Sequence, residues 1–200
     1  MGTETGAAKK PAVFFDRDGT LNRDVGYVTH LDLYELLPRA AAAVRKVNEA
    51  GWLAILITNQ AGVARGYFPE IMIDKVHRKL QEELGGKSAR LDAIYYCPHV
   101  PNGDDPGYAL DCQMRKPYPG MILKAAAEHG VDLEKSVMLG DKYSDLEAGW
   151  RAGCKSGLVL SGYGRGEREL RGAQWPRRPD FVAQDAYHAV EIILNEVGNH

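Results

Sequence analysis

Cysteine is scarce in this chain, with three residues in 200. The number is odd, and residues 1–10 carry Gly, Thr, Ala and two lysines with no apolar core of a secretion signal. Both features argue against a disulfide scaffold. Long apolar runs are also missing. The longest near the middle, Trp52 to Ile57, is far short of the about 20 residues that cross a bilayer. Positive charge is not in excess. The formal net charge is −2, which gives no footprint of a nucleic-acid binder. The expectation is a cytoplasmic monomer with neither membrane nor nucleic acid as partner. A small anionic ligand would need positive charge gathered locally.

What is present is ordinary for a globular chain: 44% hydrophobic and 26% charged residues. Residues 1–10 read as a disordered leader, and 11–200 as a single domain with a loop insertion at 97–117. Short apolar runs alternate with helical stripes. Ala12 to Phe15, Trp52 to Ile57, Leu91 to Tyr96, Val137 to Leu139 and Lys155 to Leu160 read as buried strands, with Phe181-Val182 a short edge strand. Between them, Pro38 to Gly51, Pro69 to Gly86 and Pro119 to Gly130 read as helices opened by proline and closed by glycine, and Val190, Ile193, Leu194 and Val197 mark a last one. Strand, helix, strand with short links implies parallel pairing through right-handed crossovers. The expected fold is a doubly wound parallel α/β sheet without a separate cap domain.

The chemistry concentrates at residues 12–20, where Ala-Val-Phe-Phe runs into Asp16-Arg-Asp18-Gly-Thr. In an open α/β sheet ligands bind beyond the carboxyl ends of the strands. Residues two apart on an extended chain point the same way, so both carboxylates face that crevice. A carboxylate can attack phosphorus as a covalent nucleophile. It must first overcome repulsion of roughly 4 kcal/mol per unit charge at about 4 Å, which a hard dication such as Mg²⁺ would cancel. A third carboxylate elsewhere should complete such a metal site. The competing reading is a plain turn with two solvated acids.

Later stretches bear on the choice. Thr58-Asn59-Gln60-Ala-Gly closes the second strand with a hydroxyl suited to a phosphate oxygen, or is a plain turn. Arg115-Lys116 stands just ahead of a helix, and is either two solvated bases or a compact cation entering the crevice. Asp141 follows Gly140 at a strand end, with Asp145 one helical turn later, and Asp141 is the carboxylate the metal site lacked. In the flap after the first strand, Asp24, Gly26 and Tyr27 are either substrate contacts or surface loop. In the 97–117 loop, Cys97, His99 and Cys112 are either three of the four ligands a structural zinc wants or packing residues of a metal-free loop. The fourth is expected at 114, which is Met114, a poor zinc ligand; Asp111 or water is the alternative. His77, between Lys75 and Arg78 on its helix, reads as a surface residue, Cys154 as a buried structural thiol, and the Gly- and Arg-rich span 161–179 as a solvated loop.

Asp16-Arg-Asp-Gly-Thr resembles the first motif of the haloacid dehalogenase superfamily; Thr58, Lys116 and Gly140-Asp141…Asp145 resemble its second, third and fourth. The longer strings Gly26-Tyr27-Val28, Thr58-Asn-Gln-Ala-Gly with Arg65-Gly-Tyr-Phe, Cys97-Pro-His99, Arg115-Lys-Pro and Gly140-Asp-Lys142 are similar to the D-glycero-D-manno-heptose 1,7-bisphosphate phosphatases and their histidinol-phosphate phosphatase relatives. The resemblance implies Asp16 as nucleophile and Asp18 as general acid/base, with Thr58 and Lys116 on the phosphoryl group. It implies Mg²⁺ on Asp16, the Asp18 carbonyl and Asp141, with Asp145 nearby. It also implies substrate contacts from Asn59, Gln60, Arg115 and Lys142, zinc in the loop, and a phosphosugar substrate. Met114 departs from that pattern. The alternatives are the same chemistry on histidinol phosphate or another small phosphoester, and a non-catalytic phosphosugar-binding domain.

Overall fold

The computed structural model of the chain describes residues 8–197. Of the leader expected over residues 1–10, residues 1–7 lie outside the described residues. At its end, Lys10 is tied down by backbone hydrogen bonds to Gly130 and Asp132.

Six parallel strands form one sheet: β1 (Ala12–Phe15), β2 (Leu53–Asn59), β3 (Ala93–Cys97), β4 (Val137–Gly140), β5 (Lys155–Val159) and β6 (Phe181–Ala183). Their order is β3-β2-β1-β4-β5-β6. The chain winds outward one way from β1 and then returns to its other side, so β1 and β4 flank the switch point at which such sheets open a crevice. This is the expected doubly wound fold, a Rossmann-like α/β architecture.

Alternation along β1 explains its place at the centre. Val13 and Phe15 enter one apolar layer, covered by α1 (Ala40–Glu49), α2 (Ile71–Gly85) and α6 (Ala186–Val197). Ala12 and Phe14 enter the other, covered by α3 (Gly120–His129) and α4 (Tyr143–Ala152). All four residues of β1 are fully buried, and each Phe contributes about 1.5–3 kcal/mol by leaving water. A strand buried on both faces has no polar alternation, which is why it reads as a continuous apolar run.

Two expectations need correction. The span 161–179 is not all loop: it forms α5 (Gly164–Arg171) and a short 3₁₀ turn at Gly172–Gln174. This helix has one buried residue, Gly164, and is supported by an Arg171–Glu167 pair at i,i+4 spacing. His77 is not on the surface either. It is 6% exposed and lies on the buried stripe of α2 with Ile73, Val76, Leu80 and Leu84. Among the described residues no helix is long and apolar enough to cross a membrane.

Candidate active site

The crevice at the carboxyl ends of β1, β2 and β4 collects the acids and the lysine. Asp16 leaves β1 fixed by its own N–H, which donates to the Leu139 carbonyl at 2.8 Å. Lys116, from the turn ahead of α3, reaches into the crevice and donates to Asp16 Oδ1 at 2.7 Å and to the Ile57 carbonyl at 3.2 Å. Its ammonium also pairs with Asp145 Oδ1 at 2.7 Å. Asn59 sets this position: its amide donates to the Lys116 carbonyl and its Oδ1 accepts from the Lys116 N–H, both at 3.0 Å. Asn59, expected at substrate, makes these two bonds to the Lys116 backbone.

Four charged groups, Asp16, Lys116, Asp141 and Asp145, are buried together. Burial pushes the Asp16 carboxyl up to about 6, against the pull of Lys116. Burial raises Asp141 further, to about 8; Lys142 opposes the rise, and Asp145 and Asp16 add to it by repulsion. Lys116 behaves inversely. Burial alone would lower it, but Asp145 and Asp16 outweigh burial and hold it above the usual lysine range.

Oxygens of Asp16, Asp141 and Asp145 lie within 4.8 Å of one another. Asp141 Oδ2 accepts from the Tyr163 N–H at 2.8 Å, while its Oδ1 is buried without a partner. Three hard anionic oxygen donors, one of them orphaned, have the chemistry of a Mg²⁺ site. Gly19 (φ +83°) and Gly162 (φ +56°) close over Asp141 so tightly that a Cβ on either would strike its carboxylate. Both conformations also favour glycine in their own right.

Asp18 is held differently. Its carboxylate accepts from the Arg17 guanidinium at 2.9–3.2 Å, from Asn22 Nδ2 at 2.9 Å and from Gln60 Nε2 at 2.8 Å. Gln60 Nε2 also donates to Thr58 Oγ1 at 2.9 Å, tying the end of β2 to Asp18. Burial would raise Asp18, but Arg17 and the amide donors win and hold it below the ordinary carboxylate value. Two carboxylates two residues apart are thereby pushed in opposite directions.

The rim carries the remaining expected residues. Lys142 Nζ pairs with Asp24 Oδ2 at 2.9 Å, and Asp24 Oδ1 accepts from the Gly26 N–H at 2.7 Å. Arg65 Nη1 donates to the Tyr27 hydroxyl at 2.6 Å, and Tyr67 packs edge-on against the Tyr27 ring. Arg115 Nη1 donates to the His99 carbonyl at 3.0 Å. Burial lowers the Arg115 pKa and the nearby Arg65 charge lowers it further, as two cations sharing one region must. In the loop, donors of Cys97, His99 and Cys112 also gather within 4.8 Å, with Cys97 Sγ 3.6 Å from His99 Nδ1. Burial, with Cys112 close by, pushes the Cys97 thiol up to about 12. Met114 packs into the apolar layer against α3.

Sequence reasoning missed Arg17 and His77. Arg17 is 1% exposed, and its Nη1 stands 3.4 Å from His77 Nε2. The signal for His77 was present: positions 73, 76, 77, 80 and 84 form one helical stripe. The neighbouring charges in sequence, Lys75 and Arg78, hid it.

This fold, with an acid–lysine cluster at its switch point, defines a phosphatase of the haloacid dehalogenase class, a phosphoric monoester hydrolase. The HAD-hydrolase-like family model matches residues 113–189. A D-glycero-D-manno-heptose-1,7-bisphosphate 7-phosphatase of Thermosynechococcus vestitus is 43% identical over 94% of this chain and 97% of its own length. The enzyme of that activity from Escherichia coli is 39% identical over 71% of this chain and 74% of its own. The crystal structure of a D,D-heptose 1,7-bisphosphate phosphatase from B. bronchiseptica, complexed with magnesium and phosphate, superposes with a TM-score of 0.80 at 35% identity, covering 93% of this chain and 99% of the other. The chain belongs to the heptose-1,7-bisphosphate phosphatase family of the haloacid dehalogenase superfamily.

Proposed function

We propose that this protein removes the C7 phosphate of D-glycero-D-manno-heptose 1,7-bisphosphate through an aspartyl-phosphate on Asp16. The observation that carries the chemistry is the pairing of a buried, lysine-braced Asp16 with a separately held Asp18. The substrate assignment is supported by the activities for which the relatives are named.

Asp16 is anchored through its backbone and through one carboxylate oxygen to Lys116. Its other oxygen is the attacking atom. As the phosphorus–oxygen bond to the sugar breaks, Asp18 delivers a proton to the departing sugar oxygen. Arg17 and the amide donors hold this carboxyl ionised in the free site, so the proton is taken up from water as the phosphate anion enters beside it and raises its proton affinity. The same carboxylate then takes a proton from water, which hydrolyses the aspartyl-phosphate. Thr58 Oγ1 and the Lys116 ammonium stabilise the equatorial oxygens in a site already closed to solvent, where fixed charges act strongly. Asp16, Asp141 and the Asp18 carbonyl would hold Mg²⁺, with Asp145 beside them; bound there it supplies the positive charge that lets an anionic nucleophile meet an anionic phosphate. Arg115 and Arg65 together would receive the second phosphate of a bisphosphate. Cys97, His99 and Cys112 offer zinc three donors, one short of the closed four-ligand structural kind.

The test is Mg²⁺-dependent phosphate release from heptose 1,7-bisphosphate and histidinol phosphate, measured side by side. A large preference for the heptose is expected, and a preference for histidinol phosphate overturns the substrate. Asp16→Asn should abolish turnover on both while leaving the thermal transition intact. Wild-type-like activity in that variant would sink the mechanism.

A further inference from the structure

We propose that Arg17 and His77 form a positioning relay that aims the Asp18 carboxylate at the leaving oxygen. The inference rests on the acid–base role given to Asp18 above. Asp18 has the most open carboxylate of the central acids, its side chain being 17% exposed against 7% for Asp16 and 2% for Asp145. An acid that must face two partners in turn needs that opening, and it needs its orientation imposed from behind.

Arg17 supplies the imposition. Its guanidinium offers five N–H donors in a rigid plane and cannot accept. Nε and Nη2 grip Asp18 at 3.2, 3.1 and 2.9 Å, so the plane of the fork fixes the plane of the carboxylate. Arg17 is itself buried, and a buried guanidinium edge without an acceptor is costly. The acceptor for Nη1 is His77 Nε2 at 3.4 Å. Since arginine only donates, that nitrogen is unprotonated, and burial together with the adjacent cation keeps the ring neutral. The imidazole is seated against the Tyr96 ring, with centroids 5.8 Å apart. A residue on α2 thus reaches the reacting carboxylate through one intermediary. The contact that links His77 to the site runs through Arg17, so orientation of Asp18 is its route to the chemistry.

Leaving-group dependence provides the test. A sugar alkoxide needs a proton to depart; p-nitrophenolate does not. Because kcat/KM reports only steps up to the first loss of leaving group, it isolates proton delivery. The variants are His77→Leu, which cannot accept, His77→Gln, which can, and Arg17→Lys, which keeps the charge and loses the fork.

General acid catalysis is worth about 10²–10⁴-fold, so His77→Leu should lose roughly 10-fold in kcat/KM on the sugar phosphate and less than about 2-fold on p-nitrophenyl phosphate. Arg17→Lys should show the same split with a larger loss, and His77→Gln should return most of it. Thermal unfolding checks that each variant is folded; if Arg17→Lys is not, the two His77 variants decide. Equal losses on both esters, or wild-type kinetics in His77→Leu, overturn the relay while leaving the phosphatase reading intact. A wild-type protein inactive on both esters, or an active Asp16→Asn, overturns that reading instead.

Discussion

At the scale of single residues, the site separates two carboxylates by their neighbours. Both feel burial; at Asp16 it prevails over Lys116 with help from Asp145, whereas at Asp18 it is outweighed by Arg17, Asn22 and Gln60. The same accounting gives His77 a measurable signature. Its ordinary value near 6.5 is pushed down to about 3 by burial and then by Arg17. Between those values the unfolded chain binds the proton and the folded one does not. His77 therefore contributes stability that is present above about pH 6.5 and lost as pH falls through about 3. A glutamine at 77 has no proton to bind. The Tm of His77→Gln should move in the variant's favour relative to wild type as pH falls from about 7 to about 4.5. Parallel Tm–pH curves would show that the imidazole titrates normally. Legibility at this scale followed whether a partner was local. Asp16, Asp18 and Asp141 were readable because they follow apolar strands. Arg17 and His77 were not, because their partnership spans sixty positions and only the fold brings α2 to the turn after β1.

At the scale of elements, strands were readable and one helix was not. β1, β4 and β2 as far as Ile57 lie buried on both faces, so these stretches read as apolar runs; β2 turns polar only where Thr58 and Asn59 reach the crevice. α5, Gly-Arg-Gly-Glu-Arg-Glu-Leu-Arg, has no apolar stripe to announce it; its capping end is pinned where Gly164 sits against the Val159 carbonyl. The 97–117 loop is an element of another kind, held from outside. Glu70, just ahead of α2, accepts from the Tyr96 hydroxyl at 3.0 Å and from the Tyr108 hydroxyl at 2.7 Å. Two hydroxyls thus share one charged acceptor, the stronger kind of hydrogen bond. Glu70→Leu should release the loop, so that proteinase K cuts between residues 100 and 112 faster than in wild type while the sheet survives. An unchanged cleavage rate would mean that the loop is held chiefly by its Cys97, His99 and Cys112 cluster.

At the scale of the whole molecule, the sheet forces acids together at its switch point, and the fold sustains that opposition. Burial raises Asp141 to about 8, and Asp145 and Asp16 reinforce the rise. A carboxyl whose folded value is raised gives stability at low pH that is lost as pH climbs through about 8. Asp141→Asn should therefore melt above wild type at pH 8 without metal, by several degrees, and should lose activity. Added Mg²⁺ should raise the wild-type Tm by mass action and leave that of the variant unmoved. A variant less stable than wild type in chelator would mean that Asp141 is held by more than the Tyr163 N–H.

The order of the strands also governs when the chemistry can first exist as the chain is made. β1 emerges early, yet one of its two neighbours is β4, and Val13 pairs with Val137. Until β4 is synthesised, β1 has an unpaired edge, Asp16 has no Leu139 carbonyl to hold its backbone, and Asp141 does not yet exist. Contacts of that sequence separation are slow to form and late to be rewarded. An unfinished chain on the ribosome would thus carry the nucleophile without its companions, and phosphate release becomes a report that the two halves of the sheet have met.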